Sequence, residues 1–285
     1  MDYYEEFRVR SGIRPKLDTI DADFRPEGLK RKKAESRLKK LLQRMQELQN
    51  QLYAENRRSL LVVLQGRDAA GKDGTIRRVF GPLNPQGVKV TSFKVPSKLE
   101  ASHDFLWRCH AAAPAKGVIG VFNRSHYEDV LVVRVHELVE ESIWGDRYEH
   151  INAFESLLSD SGTTILKFYL HIDREEQLRR FRDRLMIPEK NWKISDADYS
   201  ERPYWDQYTE AFEGAFEKCS TEKAPWFVIP ANRKWFRNLA IAKIIVETME
   251  DMRMSYPEPS VDLEEIRKKY HEAEKTKGDT SFASA

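Results

Sequence analysis

Cysteine is nearly missing from this chain: its 285 residues include two, Cys109 and Cys219. That excludes a disulfide framework and suits a reduced, cytoplasmic protein. Long apolar runs are missing as well. Stretches such as Leu60–Leu64 and Val118–Phe122 fall far short of the roughly 20 residues a membrane helix needs, so no membrane partner is expected. The opening residues, MDYYEEFRVR, lack the apolar centre of a secretory signal. No internal repeat or low-complexity block is present. A formal net charge of +2 says little alone; the distribution of charge says more.

What is present is a chain 40% hydrophobic and 33% charged, enough to bury a sizeable core under a very polar surface. Residues 1–27, punctuated by Pro15 and Pro26, suggest an extended arm. Over 28–56 apolar residues recur at Leu38, Leu41, Leu42, Met45, Leu48 and Leu52, one face of a helix. The basic start of that helix, Lys30–Lys40, has no interleaved aromatic residue and reads as a solvated face, so no nucleic-acid partner is expected. Short apolar, β-branched runs at 59–65, 88–93, 117–123, 163–172 and 226–231 then alternate with helical stretches near 73–80, 98–112, 145–161, 175–185, 203–220 and 234–253. Such alternation predicts an α/β fold of three layers, a parallel sheet flanked by helices. The main domain is expected over 28–256, with a C-terminal helix and frayed tail over 257–285.

The stretch LLVVLQGRDAAGKDG, Leu60 to Gly74, lacks one thing in turn. It is a strand running into a phosphate-binding loop, G-x-x-x-x-G-K, at Gly66, Gly71 and Lys72. The next position, usually a Ser or Thr that helps hold magnesium, is Asp73. The loop backbone at Gly66, Ala69, Ala70, Gly71, Asp73 and Gly74 is expected to offer amides to phosphate oxygens, and Lys72 to neutralise a transferring phosphoryl group. Acids among phosphates repel unless a metal lies between them, so Mg2+ is expected, with Asp68 as ligand or base. Asp73 is either a second such acid or an ordinary first-turn carboxylate favoured by the helix dipole.

Two further constellations follow. In VIGVFNRSHYEDV, Val118 to Val130, a strand tip carries the amide Asn123, then Arg124, which can clamp phosphate bidentately. The nearest carboxylates are Glu128 and Asp129. Ser125 reads as a helix cap and His126, with no metal-ligating neighbours, as a packing residue. In REEQLRRFRDRLMIPEKNWKISDADY, Arg174 to Tyr199, Arg180 and Arg184 share a helix face that Pro188 ends, and a loop with Trp192 and Lys193 follows. Arginines on a helical hairpin of about residues 174–200 above a phosphate loop form a lid that closes over phosphoryl transfer.

These motifs, with LNPQGVKVTSFKVPS and APWFVIPANRKW, resemble polyphosphate kinase family 2 in the order in which they occur, from about Leu29 to Tyr256. The resemblance implies a P-loop kinase fold like that of thymidylate kinases. It implies Mg2+-dependent transfer of phosphate between inorganic polyphosphate and adenine or guanine nucleotides, and assembly as a homodimer or homotetramer. It implies Asp68, Lys72, Arg124, Glu128, Arg180 and Arg184 as catalytic residues. Asn123 stands where two branches of the family carry Asp, and the FNRSHYE form resembles the branch that accepts both AMP and ADP. Arg67 replaces the Met expected in that branch and is expected beside the phosphates. Arg77, Arg78, Lys89, Lys94 and Lys98 are candidates for a track along a linear polyanion. The rivals are an ATP-dependent nucleoside monophosphate kinase on the same fold and a nucleic-acid-binding module.

Overall fold

Every residue of Ser59–Gln65 is buried. A strand hidden on both faces is the mark of a parallel sheet covered by helices on both sides. In the computed structural model, which describes residues 1–279, this strand (β1) is central. The others are β2 (Val88–Ser92), β3 (Ile119–Asn123), β4 (Thr163–His171) and β5 (Trp226–Pro230). All pairings are parallel in the order β2-β3-β1-β4-β5, with Leu64 of β1 facing Asn123 of β3 and Phe168 of β4.

The helices are α1 (Tyr3–Phe7), α2 (Arg31–Glu55), α3 (Lys72–Thr75), α4 (Lys98–Ala101), α5 (Trp107–Ala112), α6 (Glu128–Val135), α7 (Glu141–Asp160), α8 (Arg174–Met186), α9 (Asp196–Ser200), α10 (Trp205–Cys219), α11 (Lys234–Asp251) and α12 (Leu263–Asp279). Alternate residues of β1 point into two cores. Leu60, Val62 and Leu64 pack with α2 and α11, where Leu38, Met45, Leu48 and Ile241 are buried. Leu61 and Val63 pack with α6, α7 and α10, around Phe154, Phe212 and Phe216. The expected three layers result.

Three differences from the sequence reading have physical causes. The first 27 residues, expected as an extended arm, include the short helix α1, capped by Asp2, which sinks Tyr3 and Phe7 into the core. The expected helix near 73–80 divides into α3 and a π-helical turn, Ile76–Phe80. The one near 98–112 divides at His103, because Ser97 and Glu100 box the start of α4 and Asp104 opens a new turn. The chain separates into a unit Met1–Met254 and a second unit beginning at Ser255. Helix α12 in the latter continues through Ala273, where the composition suggests fraying; residues 280–285 of that tail lie outside the described residues. Among the described residues no helix is long and apolar enough to cross a membrane.

Candidate active site

At the carboxyl end of β1 the backbone turns through Gly66 (φ 152°), Ala69 (φ 62°) and Gly71 (φ 104°). The last of these is open to glycine almost alone. A Cβ on Gly71 would also collide with Nη1 of Arg237. Lys72 begins α3 and its ammonium lies back on the loop, donating to the Gly66 carbonyl at 2.5 Å and the Arg67 carbonyl at 3.3 Å. Burial pulls its pKa down, and nearby Arg124 adds to this against Asp68, Glu128 and Asp73.

The neighbouring strand β3 delivers the second motif. Arg124 is left-handed (φ 60°) and its amide donates to the Leu64 carbonyl at 3.0 Å, which ties the turn to the tip of β1. Its guanidinium meets Asp68 at 3.1 Å and Glu128 at 3.8 Å. Burial opposes that charge, but Glu128 and Asp68 outweigh it and raise the pKa. Glu128 also accepts from Gln65 at 3.1 Å. Asp129 turns away to Arg147 and Arg108, 3.4 and 3.9 Å off, and burial pushes its carboxyl up to about 6 against both arginines. The Asn123 amide donates to Asp73 at 2.7 Å. Ser125 accepts from Gln65 and from the Tyr127 amide, both at 3.2 Å, closing the turn into α6. His126 is fully buried against Glu155.

The arginine helix α8 sits on the loop. The Gln177 amide donates to the Asp68 carbonyl at 3.1 Å. Arg180 uses its whole fork: Nε to Glu176 (2.5 Å), Nη1 to the Ala69 and Ala70 carbonyls (2.8 and 2.7 Å), and Nη2 to the Ala231 and Asn232 carbonyls (2.6 and 3.2 Å). It is a buried brace between the phosphate loop and the segment after β5, where a lid arginine reaching for phosphate was expected. One turn on, Arg184 donates to the Lys193 carbonyl at 3.2 Å. The hairpin tip is open, with Met186 and Trp192 exposed.

These groups surround a cavity of about 600 Å³ whose walls hold ten lysines and arginines against three aspartates. Asp68, Ala69, Gly71, Lys72, Asp73, Gly74, Asn123, Arg124, Arg180, Arg184 and Lys193 all line it. Of the expected track, Arg77 and Lys94 line it and Arg78, Lys89 and Lys98 do not. Ala70 lies buried beneath the loop. Lys190, Lys234 and Arg237 were not expected there; the clue was the basic start of α11, NRKWFR, just past a strand's carboxyl end. Arg67 needs correction: it stacks on Trp205, 3.8 Å from the ring centroid, and donates to Thr209 at 2.6 Å, on the far side of the loop from this cavity.

A second cavity, about 310 Å³, opens on that far side. Val95, Leu131, Val132, Trp205 and Phe212 give it apolar walls, and Gln65, Arg67, Glu128, Gln177, Glu201, Arg202 and Tyr208 add polar and charged points. Asp68 and Arg124 belong to both cavities. Two carboxylates on the loop, Asp68 and Asp73, suit a hard divalent cation that takes the rest of its oxygens from substrate and water. Among the described residues no group of three metal ligands forms a protein-only cage.

A glycine loop with a lysine on the central strand of such a sheet, under an arginine-bearing hairpin, defines a phosphotransferase of the P-loop kinase fold. The family model for polyphosphate kinase 2 matches residues 28–257. The chain is 50% identical to AMP/ADP-polyphosphate phosphotransferase of Meiothermus ruber, over 92% of this chain and 98% of that one. It is 44% identical to ADP-polyphosphate phosphotransferase of Rhodopseudomonas palustris, over 89% and 92%. The crystal structure of polyphosphate kinase 2 from Arthrobacter aurescens superposes with a TM-score of 0.92 at 41% identity, covering 95% of this chain and 97% of that one. This chain belongs to the polyphosphate kinase 2 family.

Proposed function

We propose that the protein transfers phosphate from inorganic polyphosphate to AMP and ADP, reversibly in principle. One observation carries this reading: two cavities of different chemistry, one crowded with cations and one with apolar and aromatic walls and charges of both signs, meet at Asp68 and Arg124. The cationic one, with ten lysines and arginines, suits a long polyanion. The apolar one, with aromatic walls and scattered polar groups, suits a nucleoside.

In the reaction, a phosphate oxygen of the acceptor forms a bond to the terminal phosphorus of the donor. The anhydride P–O bond behind it breaks, and the leaving chain keeps that oxygen and its electrons, one phosphate shorter. The acceptor oxygen is already largely deprotonated at neutral pH, its second pKa being about 6, so no general base is needed. Glu128 therefore acts by orienting Arg124 at the junction. Lys72 and Arg124 neutralise charge spread over the transferring group. Arg184 and Lys193, on the exposed side of the basic cavity, supply further positive charge. Asp68, with Asp73 beside it, would hold a magnesium ion, which would supply positive charge to offset that of the phosphates. The free, buried cysteines Cys109 and Cys219 fit a reducing cytoplasm.

The test incubates the protein with magnesium, polyphosphate and AMP, ADP or GDP separately, and resolves the products by chromatography. ADP and ATP should appear from AMP without added ATP. Phosphorylation of AMP by ATP but not by polyphosphate would establish the ATP-dependent kinase instead.

A further inference from the structure

Arg237, on α11, is 2% exposed. Its hydrogen-bond acceptors are all neutral: Nε and Nη2 donate to the Asn238 amide oxygen at 3.1 and 2.9 Å, and Nη1 to the Ala70 carbonyl at 3.2 Å. No carboxylate among the described residues pairs with it. The charge that acts on it is another cation, Arg180, which has Glu176 as its own counterion. Burial, with Arg180 adding to it, pushes the Arg237 pKa down to about 9. A buried guanidinium left in this state is costly unless an anion joins it.

Its position shows where that anion sits. Arg237 is part of the wall of the basic cavity, directly under Gly71 and Gly74 at the start of α3. The left-handed Gly71 is what lets it come so close. Arg237 and Arg180 both draw the Ala70 carbonyl inward.

We propose that Arg237 is a phosphate anchor for the donor: its missing counterion is the polyphosphate seated on the loop, and Arg237 sets affinity for the donor without touching the nucleotide. This rests on the basic cavity being the donor site. The second cavity, where the acceptor is assigned, does not include Arg237. Loss of one charge-assisted bond of this kind weakens binding roughly ten- to hundredfold.

The test compares the wild-type protein with Arg237→Gln and Arg237→Lys in two measurements. The first is thermal melting against inorganic tripolyphosphate with no nucleotide or magnesium. The second is the steady-state KM for polyphosphate and, separately, for AMP. Without ligand, Arg237→Gln should melt no lower than wild type, since an unbalanced buried charge has gone. Its tripolyphosphate affinity should fall roughly ten- to hundredfold, with an equal rise in KM for polyphosphate and none in KM for AMP. Arg237→Lys should recover part of the affinity. Equal tripolyphosphate binding by wild type and Arg237→Gln overturns the anchor, as does a parallel rise of both KM values. Failure of both variants to fold would make Arg237 a structural residue and overturn it too. A wild-type protein that binds tripolyphosphate through Arg237 but transfers no phosphate from polyphosphate keeps the anchor and refutes the proposed function.

Discussion

Lys167 lies at the middle of β4 with its side chain fully buried, and replacing it with Met should destabilise the protein by about 3–5 kcal/mol. The figure follows from its partners. The three N–H groups of Nζ reach Glu155 at 2.5 Å, the Cys219 carbonyl at 2.6 Å and the Tyr127 hydroxyl at 2.8 Å. Glu155, on α7, also accepts from Tyr127 at 2.9 Å and contacts His126 at 3.1 Å. Methionine fills the space but leaves a buried carboxylate with no cation and a carbonyl with one donor fewer. The double variant Lys167→Met, Glu155→Leu removes both charges, and a buried pair replaced as a whole is often nearly neutral. It should recover much of the loss. Urea unfolding gives both numbers, provided the slope is unchanged. The pH dependence supplies a sign. Burial pushes the Glu155 carboxyl up, but Lys167 and His126 outweigh it and hold its pKa low. Its contribution is thus present above the unfolded value of about 4.3 and lost as pH falls through the lower folded value. Without Lys167, burial raises that pKa instead, so the variant's deficit should shrink between pH 7 and pH 5. A single variant within about 1 kcal/mol of wild type, or no difference between single and double variants, would refute the reasoning.

Two predictions concern the site itself. Lys72→Ala should lower kcat roughly 10²–10³-fold, the scale of losing one preorganised charge at the reacting group, with little change in melting temperature because the ammonium rests only on loop carbonyls; a folded variant with most of its turnover would exclude Lys72 from the chemistry. Asn123→Asp should place a second carboxylate against Asp73, where the amide now donates at 2.7 Å; like charges that close share a proton or a cation, so melting should rise with added magnesium far more than in wild type and the AMP-to-ADP rate ratio should shift, and identical magnesium curves and ratios would sink the idea.

The strands were legible because two of the five are wholly buried and two more are buried at all but one residue, which writes them as largely apolar runs. Edge strand β2 is partly exposed, so VKVTS shows only weak alternation; its identity came from its place between helical stretches. The glycine loop was legible because its backbone needs glycine at Gly71 whatever surrounds it. Side-chain direction was not. Arg180 and Arg184 share a helix face by spacing, yet one turn of rise separates a buried brace on carbonyls from a residue at the hairpin's open side. Arg67 sits between Gly66 and Asp68 in a loop whose pattern is that of phosphate binding, and only the turn at Gly66 sends it to Trp205. Arg237 belongs to a helix whose neighbours Phe236, Leu239 and Ala240 are core; the basic start NRKWFR places charge near the site, but spacing does not show that Arg237 turns into it.

The loop that lacks a hydroxyl after its lysine also shows what balances so basic a cavity within the protein itself. Ten cations around one cavity repel one another. Some have a carboxylate: Arg124 has Asp68, Arg180 has Glu176 and Lys190 has Asp183. Lys72 and Arg237 rest on loop carbonyls. Backbone dipoles thus do part of the work of counterions, and the same contacts pull the loop tight. Asp73, in the place of the hydroxyl, adds negative charge within this ring and is steered by Asn123. A donor carrying about one negative charge per phosphate would then take over from the carbonyls, releasing Lys72 from Gly66. Each added phosphate in reach of Arg77, Lys94 or Lys193 should strengthen binding, and added salt should weaken it more for longer chains than for tripolyphosphate.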